Sequence, residues 1–526
     1  MGIYLNPGNE SFKKALRSKI YIDKTEMISY TNNVLGTQQG YICVSRPRRF
    51  GKSMAANMLS AYYSKGCQSK EMFENLQISK TENMDSYLNQ YNVIFLNIQH
   101  FLREADKLEN LTYYIEECVL QELKAEYMDI LLPDEKSLAI ALEKIYNVDS
   151  SEKKGFIFII DEWDCIFREA KENTDAQKNY LDFLTHLLKD RSYVQLAYMT
   201  GILPIKKYGT QSALNMFREF TMTKPGKLAK YIGFTEAEVK SLCQEYHMDF
   251  TEVKQWYDGY KFKKIPHIYN PKSIVEAMLE EEYQSFWTST ETYESLQIYI
   301  DLDIDRLKEA IISMLSGDKV MIDTGSFQND MTSFKSKDDV LSLFVHLGYL
   351  AYDEVEKSVF IPNKEVRQEF MRAIKNGTKT KLVEIVQKSD KVVKATFEKD
   401  QKNLASLIDE FHSLNTSPDY YNNEEALRRV IKLAFLSIVD GYSRIFELPA
   451  GKGYADIVYL PDKTTTRPAL VVELKWNKTP EAAIAQIKDR RYPEVLQSYT
   501  GDILLVGINY DEKKKKHECI IEEYNL

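Results

Sequence analysis

Almost continuously apolar runs alternate with amphipathic, helix-like stretches over residues 1–205. The runs are residues 41–44, 93–96, 156–160 and 194–198. Strands that are covered by helices on both faces of a parallel sheet show this continuous apolar pattern, because neither face meets water. The alternation therefore predicts an α/β doubly wound parallel sheet and makes residues 1–205 the first domain.

The pattern changes after residue 205. Residues 206–337 are expected to form a helical, tyrosine-rich, lid-like region. In residues 338–385 a helix-like stretch precedes two short strand-like runs, an order that a small winged-helix-like module would have. Residues 386–417 are charged and helix-like, which predicts a helical linker. Residues 418–526 show helix, strand, strand, helix and strand in turn, so the chain is expected to be an α/β multidomain protein.

Composition narrows the functional class. The chain has 526 residues, enough for roughly two to four domains. A formal net charge of −9 argues against a protein whose whole surface binds nucleic acid, although a local basic cleft is compatible with it. The six cysteines include no CxxC pair, which argues against a disulfide framework or a zinc site. The polar N-terminal stretch and the shortness of the apolar runs predict a cytoplasmic protein without a membrane partner.

A phosphate-binding loop is indicated where the first apolar run meets a helix-like stretch. Residues 46–53 read Arg-Pro-Arg-Arg-Phe-Gly-Lys-Ser, and a strand, a tight loop and a helix beginning at Gly-Lys-Ser form the architecture of a P-loop. The expected ligand is ATP. Lys52 would reach its β- and γ-phosphates, and Ser53 would bind Mg²⁺. Backbone amides of the loop, including those of Arg49 and Gly51, would surround the negative charge.

The loop departs from the usual motif at one position. Arg46 stands where the first glycine belongs, which leaves the loop conformation open. An exposed basic loop formed by the three arginines of residues 46–49 is the alternative interpretation.

The third apolar run ends in acidic residues that suit the other half of a nucleotide site. Residues 156–160 lead directly into Asp161 and Glu162, as a Walker B strand does. Asp161 would join the Mg²⁺ shell, and Glu162 would polarise the attacking water. The alternative is a helix N-cap followed by acidic first-turn residues. Thr200, at the end of the next apolar run, is a candidate sensor of the γ-phosphate.

Two carboxylates and a lysine mark a second candidate site near the C-terminus. Side chains alternate along a strand, so Glu473 and Lys475 of the apolar run 471–475 point to the same face. Asp456 can reach that face if residues 454–460 pair beside the run through a hairpin. Two carboxylates can hold Mg²⁺ or Mn²⁺, and a neighbouring ammonium can orient water or stabilise charge on a phosphate. The alternative is an ion pair between Glu473 and Lys475 on a solvent-facing strand.

The stretch after this run supplies two further features. Ile484 and Ile487 belong to the apolar stripe of a helix, which leaves Gln486 off that stripe and able to point towards the carboxylates. The lysine run 513–516 is interpreted as a solvated turn, with contact to DNA as the alternative.

The N-terminal motifs resemble those of a known family. Residues 3–290 resemble the bacterial AAA-ATPase-like family, which is related to signal-transduction NTPases. The shared segments are Tyr-Ile-Asp-Lys-Thr (21–25), Ser-Arg-Pro-Arg-Arg-Phe-Gly-Lys-Ser (45–53), Thr-Gly-Ile-Leu-Pro (200–204), Trp-Tyr-Asp-Gly-Tyr (256–260) and Tyr-Asn-Pro-Lys-Ser (269–273). An arginine in the place of Arg46 is normal in that family. The resemblance implies a P-loop NTPase fold with ATP and Mg²⁺ as cofactors.

Residues 418–510 are similar to the PD-(D/E)XK nuclease-like domain, a restriction-endonuclease-like α/β fold. The positions that match its motifs are Asp456, Glu473, Lys475, Gln486 and Tyr492, with Glu424 or Glu425 as an acid on the first helix. The resemblance implies a DNase that depends on Mg²⁺ or Mn²⁺ and has DNA as its partner.

The two resemblances together predict a switch protein that binds and hydrolyses ATP and controls a metal-dependent DNase domain. This domain is expected to act as an endo- or exonuclease. The alternative comes from a different functional class. It is a nucleotide-dependent regulatory protein that uses a catalytically inactive nuclease-like fold to bind nucleic acid or a partner. Assembly into a homo-oligomer is left open, and the biological role rests on analogy alone.

Overall fold

The computed structural model describes residues 2–148, 154–208, 211–287, 293–302, 304–376, 381–415, 424–439, 441–450, 453–461, 467–489 and 501–524. The chain forms two compact units. The first contains Met1–Phe286 and Val320–Asn363, and the second contains Trp287–Lys319 and Lys364–Leu526. In the described ranges, no helix combines the length and the apolar character needed to cross a membrane.

The helices and strands are numbered in chain order. Up to residue 286 they are α1 (Glu10–Leu16), α2 (Glu26–Val34), β1 (Tyr41–Ser45), α3 (Lys52–Tyr63), α4 (Lys70–Phe73), α5 (Met84–Tyr87), β2 (Asn92–Asn97), α6 (Ile98–Glu104), α7 (Leu111–Glu126), α8 (Leu138–Val148), β3 (Phe156–Asp161), α9 (Cys165–Glu169), α10 (Thr174–Leu188), β4 (Val194–Gly201), β5 (Lys207–Tyr208), β6 (Gln211–Ser212), β7 (Arg218–Phe220), β8 (Phe234–Thr235), α11 (Glu236–Glu245), α12 (Phe250–Tyr257), β9 (Tyr260–Phe262), β10 (Ile265–Tyr269) and α13 (Pro271–Glu280). After residue 286 they are α14 (Tyr293–Ile300), α15 (Leu307–Leu315), β11 (Val320–Met321), α16 (Lys337–Leu347), β12 (Ala351–Asp353), β13 (Ser358–Phe360), α17 (Lys364–Lys375), α18 (Lys381–Phe397), α19 (Gln401–Asn415), α20 (Glu424–Ala434), β14 (Tyr442–Ala450), β15 (Gly453–Pro461), β16 (Ala469–Trp476), α21 (Pro480–Asp489), β17 (Ile503–Asp511) and β18 (Lys516–Tyr524).

The first unit is built on a parallel sheet with the strand order β2-β3-β4-β1-β7. Every residue of β3 is buried, as expected of a strand that is covered on both faces. The predicted α/β doubly wound parallel sheet is therefore confirmed, and β1 to β4 contain the four apolar runs. Because β4 lies between β1 and β3, the segments that follow these three strands meet at the carboxyl end of the sheet.

The middle region, predicted as helical, contains helices and also short strands. β8, β10 and β9 form an antiparallel sheet, and their aromatic and β-branched residues explain the strands. In residues 338–385, α16 is followed by the antiparallel hairpin of β12 and β13, and β11 pairs with β13. The helix-then-hairpin order is thus present, and its identity as a winged-helix-like module stays a prediction. The compact units do not coincide with the predicted domain boundaries, which also stay predictions.

The second unit contains a mixed sheet with the order β14-β15-β16-β17-β18. Only β16 and β17 among these neighbours are parallel, and α21 makes the crossover that a parallel pair requires. The side chains of Val471, Leu505 and Ile484 belong to the buried cluster between α21 and the sheet. β14 and β18 extend the sheet beyond the strands that the sequence predicted.

The stretch predicted as a linker, residues 386–417, lies in α18 and α19 and packs within the second unit. The Asp409 carboxylate on α19 accepts a hydrogen bond from the His517 backbone N–H of β18 at 2.9 Å. The rings of His412 and His517 lie 5.6 Å apart. These contacts make α19 a cover for the edge of the C-terminal sheet.

Candidate functional sites

The loop between β1 and α3 has the geometry of a phosphate-binding loop. α3 begins at Lys52, directly after Gly51, whose φ is +91°. Arg49 also has a positive φ, of +64°, so the chain turns sharply twice before the helix. Glycine adopts such angles at little cost, which explains its place at position 51. The free N–H groups at the start of α3 point out of this turn and favour an anion.

Arg46 is buried, and its side chain anchors the start of the loop to neighbouring segments. Its Nη1 donates to the carbonyls of Ser45 and Phe220, both at 2.9 Å, and its guanidinium lies 5.2 Å from the centre of the Phe262 ring. Burial lowers the pKa of Arg46 to about 10, so the group stays charged at neutral pH. An exposed loop formed by all three arginines is therefore wrong, because only Arg48 and Arg49 are exposed.

Lys52 and Glu162 face each other across the carboxyl end of the sheet. Lys52 is buried, and its Nζ donates to the Pro47 carbonyl at 2.9 Å. Burial lowers the pKa of Lys52, and the carboxylate of Glu162 is the largest opposing influence. Burial raises the pKa of Glu162, and the charge of Lys52 opposes that shift. The two groups thus stabilise each other's charge at the place predicted for the phosphates.

An arginine that the sequence analysis missed holds Glu162. Arg168 on α9 donates from Nη2 to the Glu162 carboxylate and from Nε to Asp164 at 3.2 Å. Asp164 also accepts the backbone N–H groups of Ile202 and Leu203, at 3.0 and 2.8 Å. Asp164 therefore ties the end of β3 to the segment after β4. No sequence motif marks Arg168, because its role depends on this contact between segments.

Asp161 and Thr200 are neighbours at the ends of β3 and β4. The Thr200 hydroxyl donates to Asp161 Oδ1, and Asn97 Nδ2 at the end of β2 donates to Asp161 Oδ2 at 3.3 Å. Both Asp161 and Thr200 are buried. Their predicted contacts with Mg²⁺ and the γ-phosphate stay predictions. A polar residue at the end of an apolar run was the signal that could have revealed Asn97.

A cavity of about 600 Å³ opens in front of these groups. Its polar wall contains Arg49, Gly51, Lys52, Ser53, Glu162 and Arg168. Its apolar wall contains Ile20, Ile22, Tyr231, Phe234 and Val275. A nucleotide likewise has a polar end, its charged phosphates, and an apolar end, its flat base. The cavity can therefore accommodate ATP by size and chemistry.

The second candidate site forms on the hairpin of β15 and β16. The two strands are antiparallel, with Ile457 opposite Val472, which confirms the predicted pairing. Asp456 Oδ2 accepts the Leu474 backbone N–H at 2.9 Å. Lys475 Nζ donates to Glu473 Oε1 at 2.9 Å. The ion pair of Glu473 and Lys475 is buried, since the exposed fraction is 2% for Glu473 and 5% for Lys475. The alternative of an ion pair on a solvent-facing strand is therefore wrong.

Two helices complete the surroundings of these carboxylates. Gln486 on α21 donates to Glu473 Oε1, and Arg428 on α20 donates to Asp456 Oδ1 at 2.5 Å. Sequence analysis predicted Gln486 and missed Arg428, because the expected acids Glu424 and Glu425 on the same helix gave no sign of a cation there. Burial, together with the neighbouring charge of Asp456, raises the pKa of Glu473 to about 7. Tyr492 and the side chains of Glu424 and Glu425 lie outside the described residues.

The donor set fits a hard divalent ion. Glu473 Oε2 is buried without a hydrogen-bond partner among the described residues, and Asp456 supplies a second carboxylate. In the described part of the chain, no group of three His, Cys, Asp or Glu side chains is placed to hold a metal. Mg²⁺ is usually held by one or two carboxylates, with water and phosphate oxygens completing its shell. Asp456 and Glu473 could therefore hold Mg²⁺ or Mn²⁺ together with a bound phosphate.

Two family models match the chain. Residues 7–210 match the family described as predicted AAA-ATPase, and residues 422–519 match the PD-(D/E)XK nuclease superfamily. No curated protein matches the chain. The solved structures that resemble it include the Walker-type ATPase PABY2304 of Pyrococcus abyssi, which is 12% identical and has a TM-score of 0.33, with 66% of this chain and 94% of that chain covered. They also include the Aeropyrum pernix ORC1 protein in complex with DNA, which is 10% identical and has a TM-score of 0.25, with 88% and 95% covered. On its family matches, the chain carries an AAA-ATPase-like domain in residues 7–210 and a PD-(D/E)XK nuclease superfamily domain in residues 422–519.

Proposed function

We propose that the chain binds and hydrolyses ATP and that its nucleotide state controls metal-dependent cleavage of DNA by the C-terminal domain. The observation that carries this proposal is the convergence of Asp456, Glu473 and Lys475 on one hairpin of a nuclease superfamily domain. The same chain places Lys52 and Glu162 in a cavity that suits a nucleotide.

The contacts at the nucleotide site favour slow hydrolysis. Lys52 would exchange its hydrogen bond to Pro47 for the β- and γ-phosphates, and Ser53 would bind a Mg²⁺ ion that neutralises phosphate charge. Arg168 contacts Oε2 of Glu162, so Oε1 would be the oxygen that polarises the attacking water. The charge of Arg168 opposes protonation of Glu162 and makes it a weaker base. A slow switch tolerates a weaker base better than a fast motor.

The residues of the C-terminal site would have different roles in phosphodiester hydrolysis. Asp456 and Glu473 would hold a divalent ion, which supplies Lewis-acid stabilisation of the phosphate and a more acidic water. Lys475, already within hydrogen-bond distance of Glu473, can orient the attacking water or stabilise the charge that grows on the phosphate. Gln486 fixes the Glu473 carboxylate from the side of α21.

The test is nicking of supercoiled plasmid by the purified full-length chain. We expect relaxed or linear DNA with Mg²⁺ or Mn²⁺ and none with EDTA, and we expect the rate to differ among ATP, ADP and nucleotide-free samples. Cleavage at one rate in all nucleotide states would contradict the control of the nuclease by ATP. No cleavage of DNA in any combination of metal and nucleotide would contradict the nuclease itself.

A second candidate function has a specific observation in its favour. Arg428 and Lys475 already pair with Asp456 and Glu473, so protein cations compensate charge that a nuclease would offer to a metal. A nuclease-like fold that binds nucleic acid or a partner without cutting would have the same contacts. Binding of DNA without cleavage, unchanged by EDTA, would favour this candidate.

A further inference from the structure

A second cavity of the first unit is strongly basic. It has a volume of about 640 Å³, and we call it the basic cavity. The cations that line it are Arg218, Lys224, Lys227, Lys230, Lys263 and Lys264, and the carboxylates are Glu219 and Glu354. The chain as a whole has a formal charge of −9. Such a local excess of cations in an acidic protein is the electrostatic signature of a site for a polyanion.

The cations come from three segments that are fixed against each other. Arg218 lies on β7, and the next three belong to the loop around a short 3-10 turn at Gly226–Leu228. Lys263 and Lys264 form the turn between β9 and β10. Gly226 has a φ of +54°, and a Cβ there would lie 2.8 Å from the Phe220 ring. The loop therefore packs too closely on Phe220 to take another residue at position 226.

The acidic residues of the cavity leave most of this charge uncompensated. Glu219 Oε2 accepts the Ile205 backbone N–H at 2.8 Å, and burial raises the pKa of Glu219. Lys230 is paired with Glu26 at 2.6 Å. For the exposed side chains of Lys227, Lys263 and Lys264, no carboxylate in the described ranges is within ion-pair distance.

We propose that the basic cavity binds the phosphodiester backbone of a DNA strand. The cavity shares no residue with the nucleotide cavity, and its cations are exposed and spread over three segments. A backbone with repeated phosphates can contact cations of all three segments at once. The choice of DNA rests on the proposed function, since DNA is the substrate proposed for the C-terminal domain. Binding of this kind depends on salt and little on base sequence.

Arg46 provides a physical link from this cavity to the phosphate loop. Its Nη1 donates to the Phe220 carbonyl, and its guanidinium contacts the Phe262 ring. Both aromatic residues line the basic cavity. The Arg46 backbone N–H donates to the Gly201 carbonyl at 3.0 Å, at the end of β4. A strand bound against Phe220 or Phe262 would therefore lie one side chain away from the first residue of the loop that is proposed to bind ATP.

The experiment measures binding of a fluorescein-labelled, 20-nucleotide single strand to the full-length chain in EDTA, by fluorescence anisotropy. We compare wild type with Lys263→Glu/Lys264→Glu and with Lys227→Glu. The matched control is Lys178→Glu/Lys189→Glu, which makes the same charge change with exposed lysines of the first unit outside the basic cavity. ATP affinity and the unfolding temperature show that each variant is folded.

We expect the Lys263→Glu/Lys264→Glu variant to bind the strand at least about tenfold more weakly near 0.1 M salt. The slope of log K against log salt should fall by about 0.7 for each phosphate contact that is lost. The control should stay within about twofold of wild type. An equal loss in the control, or no loss in the cavity variants, would overturn the proposal. Competition by inorganic phosphate as effective as that by unlabelled strand, at equal phosphate concentration, would also overturn it, because the site would then take small anions.

Because the assay contains EDTA, it is independent of cleavage. A chain that never cuts DNA but loses binding in the cavity variants would disprove the proposed nuclease activity and support the basic cavity. A chain that cuts DNA and binds it equally well in all variants would support the proposed nuclease activity and disprove the binding of DNA in the basic cavity.

Discussion

Glu162 and Asp456 lie in different units, and each accepts a hydrogen bond from an arginine on a helix. Arg168 holds Glu162, and Arg428 holds Asp456. A carboxylate near a protein interior needs such a partner, because an unpaired charge there is costly. The same partner removes an oxygen from the chemistry that the carboxylate is expected to perform. At the residue scale, the arginine that holds each acid therefore influences how that acid can act.

The role of Glu162 can be tested by Glu162→Gln. The amide keeps the shape of the side chain and loses the negative charge that polarises water, so ATP should still bind while hydrolysis slows by about 10²-fold or more. Phosphate release under single-turnover conditions measures the chemical step, and equilibrium binding of a fluorescent ATP analogue serves as the control. Turnover equal to that of wild type would show that another acid activates the water.

The C-terminal site can be tested by three substitutions. Asp456→Ala and Glu473→Ala should each abolish plasmid nicking, because a single carboxylate competes poorly with the hydration shell of Mg²⁺. Lys475→Ala should keep Mn²⁺ binding, measured by calorimetry, and lose about 10²-fold or more in cleavage rate. ATPase activity should survive all three changes, since Asp456, Glu473 and Lys475 belong to the second compact unit.

Folding controls are needed because these side chains are buried. Asp456→Asn retains the shape of the aspartate, but its single oxygen can accept only one of the two hydrogen bonds that the Leu474 N–H and Arg428 donate to different oxygens of Asp456. The unfolding temperature is therefore measured beside the cleavage rate, to separate loss of charge from loss of structure. An inactive Asp456→Asn that unfolds at the wild-type temperature would support a metal-binding role. Cleavage that persists in Glu473→Ala would show that the reaction takes place elsewhere.

At the element scale, the sequence was most informative where a local pattern and a local geometry coincide. The continuous apolar run of β3 predicted a strand covered on both faces, and every residue of β3 is buried. The alternation in β16 placed Glu473 and Lys475 on one face. Asp456 was expected beside them if residues 454–460 paired with this run through a hairpin, and that pairing is present.

Contacts between distant elements explain what the sequence did not reveal. Arg428 precedes Asp456 by 28 positions and Arg168 follows Glu162 by 6, and neither spacing is a motif. The mixed middle region was hidden in a similar way, since strands of two or three residues such as β8 and β9 are too short to show a period. The packing of α19 on β18 also could not be read from its charged sequence, because only one face of the helix is buried.

α16 contains a buried histidine that predicts a specific pH dependence of stability. His346 stacks on Phe327 with ring centres 6.0 Å apart. Burial, together with the charges of Lys207 and Arg46, lowers its pKa to about 3. The unfolded chain binds a proton near pH 6.5 while the folded chain does not, so stability falls as pH decreases from 6.5 towards 3. Between pH 7 and pH 5 this group should cost about 2 kcal/mol.

Urea unfolding of wild type and His346→Phe at pH 7 and pH 5 measures this contribution. Phenylalanine keeps the stacking on Phe327 and cannot take up a proton, so the variant should lose about 2 kcal/mol less than wild type over this interval. Other titrating groups are common to both proteins and cancel in the comparison. An equal loss in the two proteins would contradict the assignment.

On the scale of the whole molecule, the two candidate sites occur in separate compact units. Each site is formed within one unit, which supplies all of its acids, cations and supporting strands. Cleavage and ATP hydrolysis should therefore be separable by mutation. Control of one by the other is the property that requires both units, and only a measurement that varies the nucleotide can reveal it.

Lys52→Ala provides that measurement. The variant should lose about 10- to 100-fold in ATP affinity, because the phosphates lose a charge-assisted hydrogen-bond donor. Its nicking rate should respond to ATP only at concentrations about 10- to 100-fold above those that act on wild type, while basal cleavage with Mg²⁺ or Mn²⁺ continues, because Asp456, Glu473 and Lys475 are unchanged. Lys178→Ala, an exposed change outside the nucleotide cavity, serves as the control and should respond to ATP as wild type does. A nicking rate in Lys52→Ala that still follows ATP at wild-type concentrations would mean that the nucleotide acts through another site. If basal cleavage were lost together with ATP affinity, the two units would have to work as one enzyme and not as a switch and its target.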